Sequence, residues 1–345
     1  MDKCGSDLSA RTDGSSVGGV RIGATIERRT WGILVGVLAF GFGTASQSTA
    51  LRFDAPEQWE RRVGWVSLAN PTTSIAICPD GVVYVVGPDG AVTTISPTGD
   101  AAGSDRIDPT YRGSMACDVQ RHLYLAGRQL ATFEPMADGK LRLLSSMPLK
   151  STLNRILVTP SGSVFGIRNG YTALASELIM LSSREKPLYS SRRGQLVLYP
   201  VKAGHEVLVW DQKGDRLLCV LPGEDRIEFF DDEGRHLKPP QDEQGANGNS
   251  RLLEGRSLMN VASLADGKFV IESTAGEDFV GRSTAAIQIT DSSFNVISFA
   301  IRAAQVGLLL GSAADGGLYF IESRDSGEFK LVRRTPVLAD AASHN

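Results

Sequence analysis

From about residue 60 to residue 335 the chain reads as short apolar alternation broken every few residues by Asp-Gly or Ser-Gly, with almost no helical periodicity. Alternation with a period of two is the spacing of a strand, and these dipeptides suit tight connections between antiparallel strands. The clearest unit runs Ser74-Ile75-Ala76-Ile77-Cys78-Pro79-Asp80-Gly81-Val82-Val83-Tyr84-Val85-Val86 and continues as Asp89-Gly90-Ala91-Val92-Thr93-Thr94-Ile95. It predicts strand, turn, strand, turn, strand.

Comparable units recur at Arg121-His122-Leu123-Tyr124-Leu125, Ser161-Gly162-Ser163-Val164-Phe165 and Asp215-Arg216-Leu217-Leu218-Cys219-Val220. Two more follow at Asp266-Gly267-Lys268-Phe269-Val270-Ile271 and Asp315-Gly316-Gly317-Leu318-Tyr319-Phe320. Aligned on Tyr84, Tyr124, Phe165, Leu218, Val270 and Tyr319, they are spaced by 40, 41, 53, 52 and 49 residues, which are blade-sized intervals. A small sheet cannot hide two apolar faces alone, so such units stack on one another, and radial stacking leaves only short edges.

The expected fold class is therefore all-β: a single six-bladed β-propeller over residues 60–335, preceded by one N-terminal transmembrane helix. A seventh blade arises if Gly204-His205-Glu206-Val207-Leu208-Val209-Trp210 opens a compressed extra unit. The run Val63-Gly64-Trp65-Val66-Ser67-Leu68 has no blade of its own and is expected to close the ring by pairing with the last unit.

One unit carries a family likeness. Gly214-Asp215-Arg216-Leu217-Leu218-Cys219-Val220, leading through Gly223-Glu224-Asp225-Arg226-Ile227-Glu228-Phe229-Phe230-Asp231-Asp232-Glu233-Gly234, resembles the blade signature of NHL-type propellers. In that signature a Tyr-Val strand is followed by an Asn-Arg-Ile turn and a Val-Phe-Asp strand. Residues 74–99 repeat it loosely, and the sequence departs from it at Glu224-Asp225 and Leu218. The resemblance implies a fold; members of that group include recognition modules, scaffolds and a few enzymes, so it implies no one activity.

Ahead of the repeats, Thr30 to Leu51 holds no charged residue and includes Trp31-Gly32-Ile33-Leu34-Val35-Gly36-Val37-Leu38-Ala39-Phe40-Gly41-Phe42. About 20 apolar residues span a bilayer core as a helix. Arg28 and Arg29 before the segment favour a cytoplasmic N-terminus, which carries everything after Arg52 across the membrane. The expected organisation is a cytoplasmic segment 1–29, a signal-anchor 30–51 in contact with the lipid bilayer, the propeller 60–335 and a C-terminal tail 336–345. The corresponding location is single-pass in the bacterial inner membrane, with the main domain periplasmic or extracellular. A cleaved signal, cut after Ala45 or Ala50, exports the domain equally well.

Composition narrows the chemistry. Of 345 residues 37 are glycine, while cysteine and histidine number four each, which suits a turn-rich sheet protein and opposes a disulfide scaffold or a His-rich metal enzyme. A net charge of -3 gives no footprint for nucleic acid, and none is expected as a partner. Cys78 and Cys117 follow similar apolar runs; buried free thiols are favoured there over a bridge.

No phosphate loop, dinucleotide fingerprint, zinc-protease motif or nucleophile elbow stands in the right context. His122, His205, His236 and His344 have no metal-ligand spacing. Asp211, Asp215, Glu224, Asp225, Asp231, Asp232 and Glu233 gather around the fourth unit, where solvated turns are the default and the spacing is not that of a calcium loop. No catalytic residue, cofactor or metal ligand is assigned. Candidate partner contacts are the basic group Arg184, Lys186, Arg192 and Arg193, and the polar loop carrying Gln241, Asn247 and Arg251. The expected function is binding, as an accessory or scaffold subunit of an integral-membrane or membrane-associated protein complex. The alternatives are a metal-dependent hydrolase or lyase with acidic groups at the propeller mouth, and a glycan or peptide module using aromatics such as Trp210 or Tyr171.

Overall fold

The computed structural model describes residues 50–52, 59–63, 74–169, 175–181, 195–202, 207–221, 226–238, 256–275, 285–298, 301–302, 306–323 and 329–339. Two early strands, β1 (Ala50–Arg52) and β2 (Trp59–Val63), pair with strands from the end of the chain. Between them lie five sheets built in sequence. The first is β3 (Ile75–Ile77), β4 (Val83–Val86), β5 (Ala91–Ile95) and β6 (Ala101–Arg106). The second is β7 (Ser114–Cys117), β8 (Leu123–Ala126), β9 (Gln129–Pro135) and β10 (Leu141–Pro148). The third is β11 (Leu153–Val158), β12 (Val164–Asn169), β13 (Ala175–Leu181) and β14 (Gln195–Lys202). The fourth is β15 (Val207–Asp211), β16 (Arg216–Leu221), β17 (Arg226–Phe230) and β18 (His236–Leu237). The fifth is β19 (Arg256–Ser263), β20 (Phe269–Ala275), β21 (Ala286–Thr290) and β22 (Ile301–Arg302).

The sixth sheet combines β23 (Leu308–Ser312), β24 (Leu318–Ser323) and β25 (Phe329–Arg334) with β2 as its fourth strand. Finally β26 (Val337–Ala339) pairs with β1. All six four-stranded sheets are antiparallel throughout.

Apolar packing shows how the sheets are arranged, because each core cluster bridges two consecutive ones. Tyr84, Val86 and Val92 of the first sheet pack with Leu123, Leu125 and Phe133 of the second. Tyr124 and Leu130 then pack with Val164 and Ile179, Phe165 and Leu178 with Leu217 and Phe230, and Leu218 and Phe229 with Phe269 and Ile271. Ile287 and Val270 meet Phe320 and Leu318, and the sixth cluster returns Tyr319, Ile321 and Leu331 to Val83, Val85 and Ile95 of the first sheet. The sheets thus form a closed cycle, the arrangement of a β-propeller, as the NHL-type resemblance implies. Runs such as Val83-Tyr84-Val85-Val86 are apolar at every position because both faces of a second strand are buried, successive side chains going to opposite neighbours.

The turn between first and second strand is the same in all six sheets at one position. Gly81, Arg121, Gly162, Asp215, Gly267 and Gly316 all have positive φ, between +49° and +88°. Glycine takes this conformation without steric cost. Arg121 and Asp215 are the two exceptions, and each turn begins with an aspartate that holds it: Asp118 Oδ1 accepts from the Gln120 and His122 amides, and Asp211 Oδ1 from the Lys213 amide.

Two expectations are corrected, and the alternative of an extra unit is answered. Ring closure is made by Trp59–Val63, with Trp59 opposite Arg333 and Val63 opposite Phe329, so the closing strand ends where the expected run begins. The segment Val207–Asp211 is the innermost strand of the fourth sheet and opens no extra unit. Cys78 and Cys117 are joined by a disulfide, with Cα atoms 4.8 Å apart, whereas free thiols were expected; Cys219 is a buried thiol. Tyr84 and Tyr124 are 40 residues apart and equivalent, so cysteines 39 apart are one residue out of equivalence. One side chain therefore faces forward from the first sheet and the other backward from the second, and they meet between the two.

Strands also extend past the expected propeller limits: Ala50–Arg52 pairs with Val337–Ala339, so the last two residues of the apolar stretch 30–51 are in a strand. Residues 1–49 lie outside those described. Among the described residues no helix is long and apolar enough to cross a membrane.

Candidate functional site

The innermost strands β3, β7, β11, β15, β19 and β23 surround a cavity of about 520 Å³. Pairing with the second strands fixes which of its residues are equivalent. Ala76, Ala116, Leu157, Val209, Ala262 and Gly311 stand opposite Tyr84, Tyr124, Phe165, Leu218, Val270 and Tyr319, the six positions on which the sequence repeats align. Four of the six inner residues are Ala or Gly. At three of these four, Ala76, Ala116 and Gly311, the second strand carries tyrosine, which supplies behind the inner strand the bulk it lacks, whereas Ala262 stands opposite Val270. The centre is left open as a result.

The next ring, Ile77, Cys117, Val158, Trp210, Ser263 and Ser312, lies beside the inner turns, and Pro79, Val119, Pro160, Gln212, Asp215 and Ala314 form the rim at that end. Trp210 is half-buried on β15. At the far end β11 and β19 each shift register, between Leu153 and Arg155 and between Leu258 and Asn260. These bulges bring Arg155 and Asn260 to equivalent places on the lining. Asn260 is occupied structurally: its Nδ2 donates to the Leu309 and Leu310 carbonyls at 2.7 and 3.3 Å, and its Oδ1 accepts from the Val261 amide at 3.0 Å.

The inner turns form a second polar network. Tyr84 Oη donates to the Arg121 carbonyl at 3.0 Å, Arg121 Nε donates to Asp80 Oδ2 at 2.5 Å, and Tyr319 Oη donates to the Gly81 carbonyl at 2.8 Å. Burial pushes the Tyr84 and Tyr319 phenols up to about 12. Asp118, only 3% exposed, bonds the His122 Nδ1 at 2.8 Å and accepts from the Tyr124 hydroxyl at 3.0 Å. Burial first, and the Asp118 charge second, raise the Tyr124 phenol. With two backbone amides also on Asp118, this carboxylate is fully engaged in shaping a turn that lacks glycine. His122 makes its side-chain hydrogen bond to Asp118, which assigns the pair to the turn.

Among the described residues no group of three His, Cys, Asp or Glu side chains is placed to share a metal ion. Asp215 is the one carboxylate among the described residues of the cavity lining, whereas calcium takes six to eight oxygen ligands. The acidic residues gathered in sequence around the fourth unit do not converge here. Asp211 pairs with Arg216, Asp231 and Glu233 both pair with Arg235, and Asp232 accepts from Thr159 Oγ1 at 2.5 Å. Glu224 and Asp225 lie outside the described residues, as do His205, His344 and Tyr171. The candidate partner residues Arg184, Lys186, Arg192, Arg193, Gln241, Asn247 and Arg251 also lie outside them. Sequence reasoning passed over Arg155, whose one signal was a lone cation inside the apolar strand Leu153–Val158.

No family model matches the chain, and no curated protein matches it. Among solved structures it is similar to regucalcin, a calcium-binding protein from Agrobacterium tumefaciens, at 13% identity and a TM-score of 0.48, covering 76% of this chain and 90% of that one. It is also similar to a gluconolactonase from Xanthomonas campestris, at 14% identity and 0.45, over 76% and 85% of the two chains. A streptogramin B lyase gives 11% and 0.43, over 80% and 98%. At these scores the fold assignment rests on the six sheets themselves.

Proposed function

We propose that this chain is an exported six-bladed β-propeller that acts by binding, as an accessory or scaffold subunit of a membrane protein assembly. In this reading the apolar segment from residue 30 to residue 49, ending before the strand that starts at Ala50, tethers it to the bacterial inner membrane, and the propeller works in the periplasm or outside the cell.

The observation that carries the reading is the Cys78–Cys117 disulfide. Such bonds persist in oxidising compartments and are rare in the cytosol, which supports translocation of everything after Arg52. The basic pair before the apolar segment supports the same orientation. The cavity, with its single described carboxylate, supports recognition over acid–base chemistry.

Isolation of the full chain from membranes in mild detergent, followed by quantitative identification of co-purifying proteins, tests the role. A stoichiometric integral-membrane partner is the expected result. Recovery of the chain alone, or of a fully reduced Cys78 and Cys117 pair from intact cells, overturns it.

A further inference from the structure

The inner-turn end of the central cavity is divided by sheet. From the first three sheets its side chains are Ile77, Pro79, Cys117, Val119, Val158 and Pro160, an apolar arc on which Val119 is 42% exposed. The polar side chains at this end all come from the fourth, fifth and sixth sheets: Trp210, Gln212, Asp215, Ser263 and Ser312. A ligand that fits here has one apolar side and one polar side.

The polar side is rich in acceptors. Ser312 Oγ donates its proton to the Ser263 carbonyl at 2.5 Å, so it has only lone pairs left to offer. Ser263, 7% exposed, has its own hydroxyl buried with no hydrogen-bond partner among the described residues, which is costly unless something bound supplies one. Asp215 and Arg121 are the two residues that replace glycine at the left-handed position of the inner turn. The Arg121 side chain pairs with Asp80, whereas the Asp215 carboxylate makes no hydrogen bond or ion pair among the described residues. Its neighbour Lys213 donates instead to the Asp266 carbonyl at 3.2 Å. At the far end Arg155 and Asn260 are both engaged within the protein, so the charge open to a ligand is negative.

We propose that this end of the cavity binds an organic amine in its cationic form, the ammonium held by Asp215, Ser263 and Ser312 and the apolar body laid against the first three sheets. An ammonium has three donors and no acceptor, which matches this set, and the face of the Trp210 indole attracts a cation. A neutral polyol suits the polar side but turns hydroxyls onto three sheets whose side chains cannot bond them. An anion meets Asp215. The volume of about 520 Å³ accommodates a two-ring body. The proposal goes beyond the binding role argued above and depends on neither the tether nor a protein partner.

The test uses the full chain in maltoside micelles, titrated calorimetrically against protein-free micelles. The probes are naphthylethylamine, its neutral counterpart naphthylethanol, the anion naphthylacetate, and glucose. The amine is expected to bind at least tenfold more tightly than the alcohol, with no binding of the anion or the sugar. Asp215→Asn, which suits the left-handed turn as well as aspartate does, is expected to weaken the amine at least tenfold and to leave the alcohol unchanged. A Cβ at Gly311 meets Ile77 Cδ1 at 3.3 Å and no other atom within 4 Å, so Gly311→Leu grows into the space and is expected to suppress both.

Amine binding that survives Asp215→Asn overturns the proposal. So does glucose or naphthylacetate binding as tightly as the amine. Should that variant fail to fold, equal affinity of the parent for amine and alcohol, or amine binding unaffected by Gly311→Leu, overturns it in turn.

Discussion

The hydroxyl of Tyr319 donates to the carbonyl of Gly81 across 2.8 Å, tying the sixth sheet to the first between residues 238 apart in sequence. The same relation recurs one sheet on, where Tyr84 donates to the carbonyl of Arg121, the residue equivalent to Gly81. Each tyrosine thus holds the inner turn of the next sheet. Tyr319→Phe leaves a buried carbonyl without its donor and is expected to cost about 1 to 2 kcal/mol in urea unfolding, with the slope unchanged. Gly81→Ala is expected to cost at least as much, because a Cβ there meets Tyr319 Oη at 2.9 Å and the φ of +87° is strained for alanine. A melt identical to the parent for both variants contradicts this account of the turn.

The disulfide closes a loop of 39 residues between the first two inner strands. On the chain-entropy view, a loop of that size stabilises the fold by about 4 kcal/mol. The Cys78→Ser, Cys117→Ser double variant is expected to fold and to unfold at markedly lower denaturant, and added reductant is expected to change the parent but leave the variant unaffected. Equal midpoints for reduced and oxidised parent contradict this.

Deleting residues 59–63 removes the fourth strand of the sixth sheet and opens the β25 edge. A loss of several kcal/mol is expected, lowering the melting midpoint by roughly 10 °C in a domain of this size. Deletion of residues 1–29, by contrast, is expected to leave the midpoint where it is. The comparison is made by differential scanning calorimetry on both truncations.

Titration is expected to weaken the fold at both extremes. Burial raises the Tyr84 and Tyr319 phenols to about 12 in the folded state, so their contribution is complete below about pH 10 and is lost as pH rises toward 12. The loss approaches about 2 to 3 kcal/mol for each. Asp315 behaves in the opposite sense. Burial raises its carboxyl, but the Gly317 amide and the Arg333 guanidinium outweigh that and hold it below the usual carboxylate range. Its contribution is therefore present above pH 4 and lost as pH falls further. Urea midpoints across pH 3 to 12 check both limbs, and Tyr84→Phe, Tyr319→Phe is expected to flatten the alkaline one.

The second strands were legible in the sequence because they are buried on both faces: Tyr84, Tyr124 and Tyr319 sit in runs where every residue is apolar, and the repeat aligns on them. Outer strands lack that signal. β6 reads Ala101-Ala102-Gly103-Ser104-Asp105-Arg106 and is largely exposed, and the closing strand reads Trp59-Glu60-Arg61-Arg62-Val63, so hydrophobicity pointed instead to the run that begins at Val63. The disulfide was hidden by a single residue of offset, 39 against a repeat of 40, which matters only once successive side chains are assigned to opposite faces. In the cavity, Arg155 carries no motif. It reaches the lining through a register shift, and bulges leave no reliable trace in one sequence.

Closure through β2 has a consequence for biogenesis. Val63 emerges among the first residues of the domain, yet its partner Phe329 is among the last, so the nascent chain carries an incomplete sheet for nearly the whole of synthesis. Five sheets can assemble from local hairpins as they appear, but cooperative locking waits for the arrival of the C-terminal hairpin. A stalled or truncated polypeptide is thereby denied the finished structure, and left with the exposed edge that proteases and chaperones recognise.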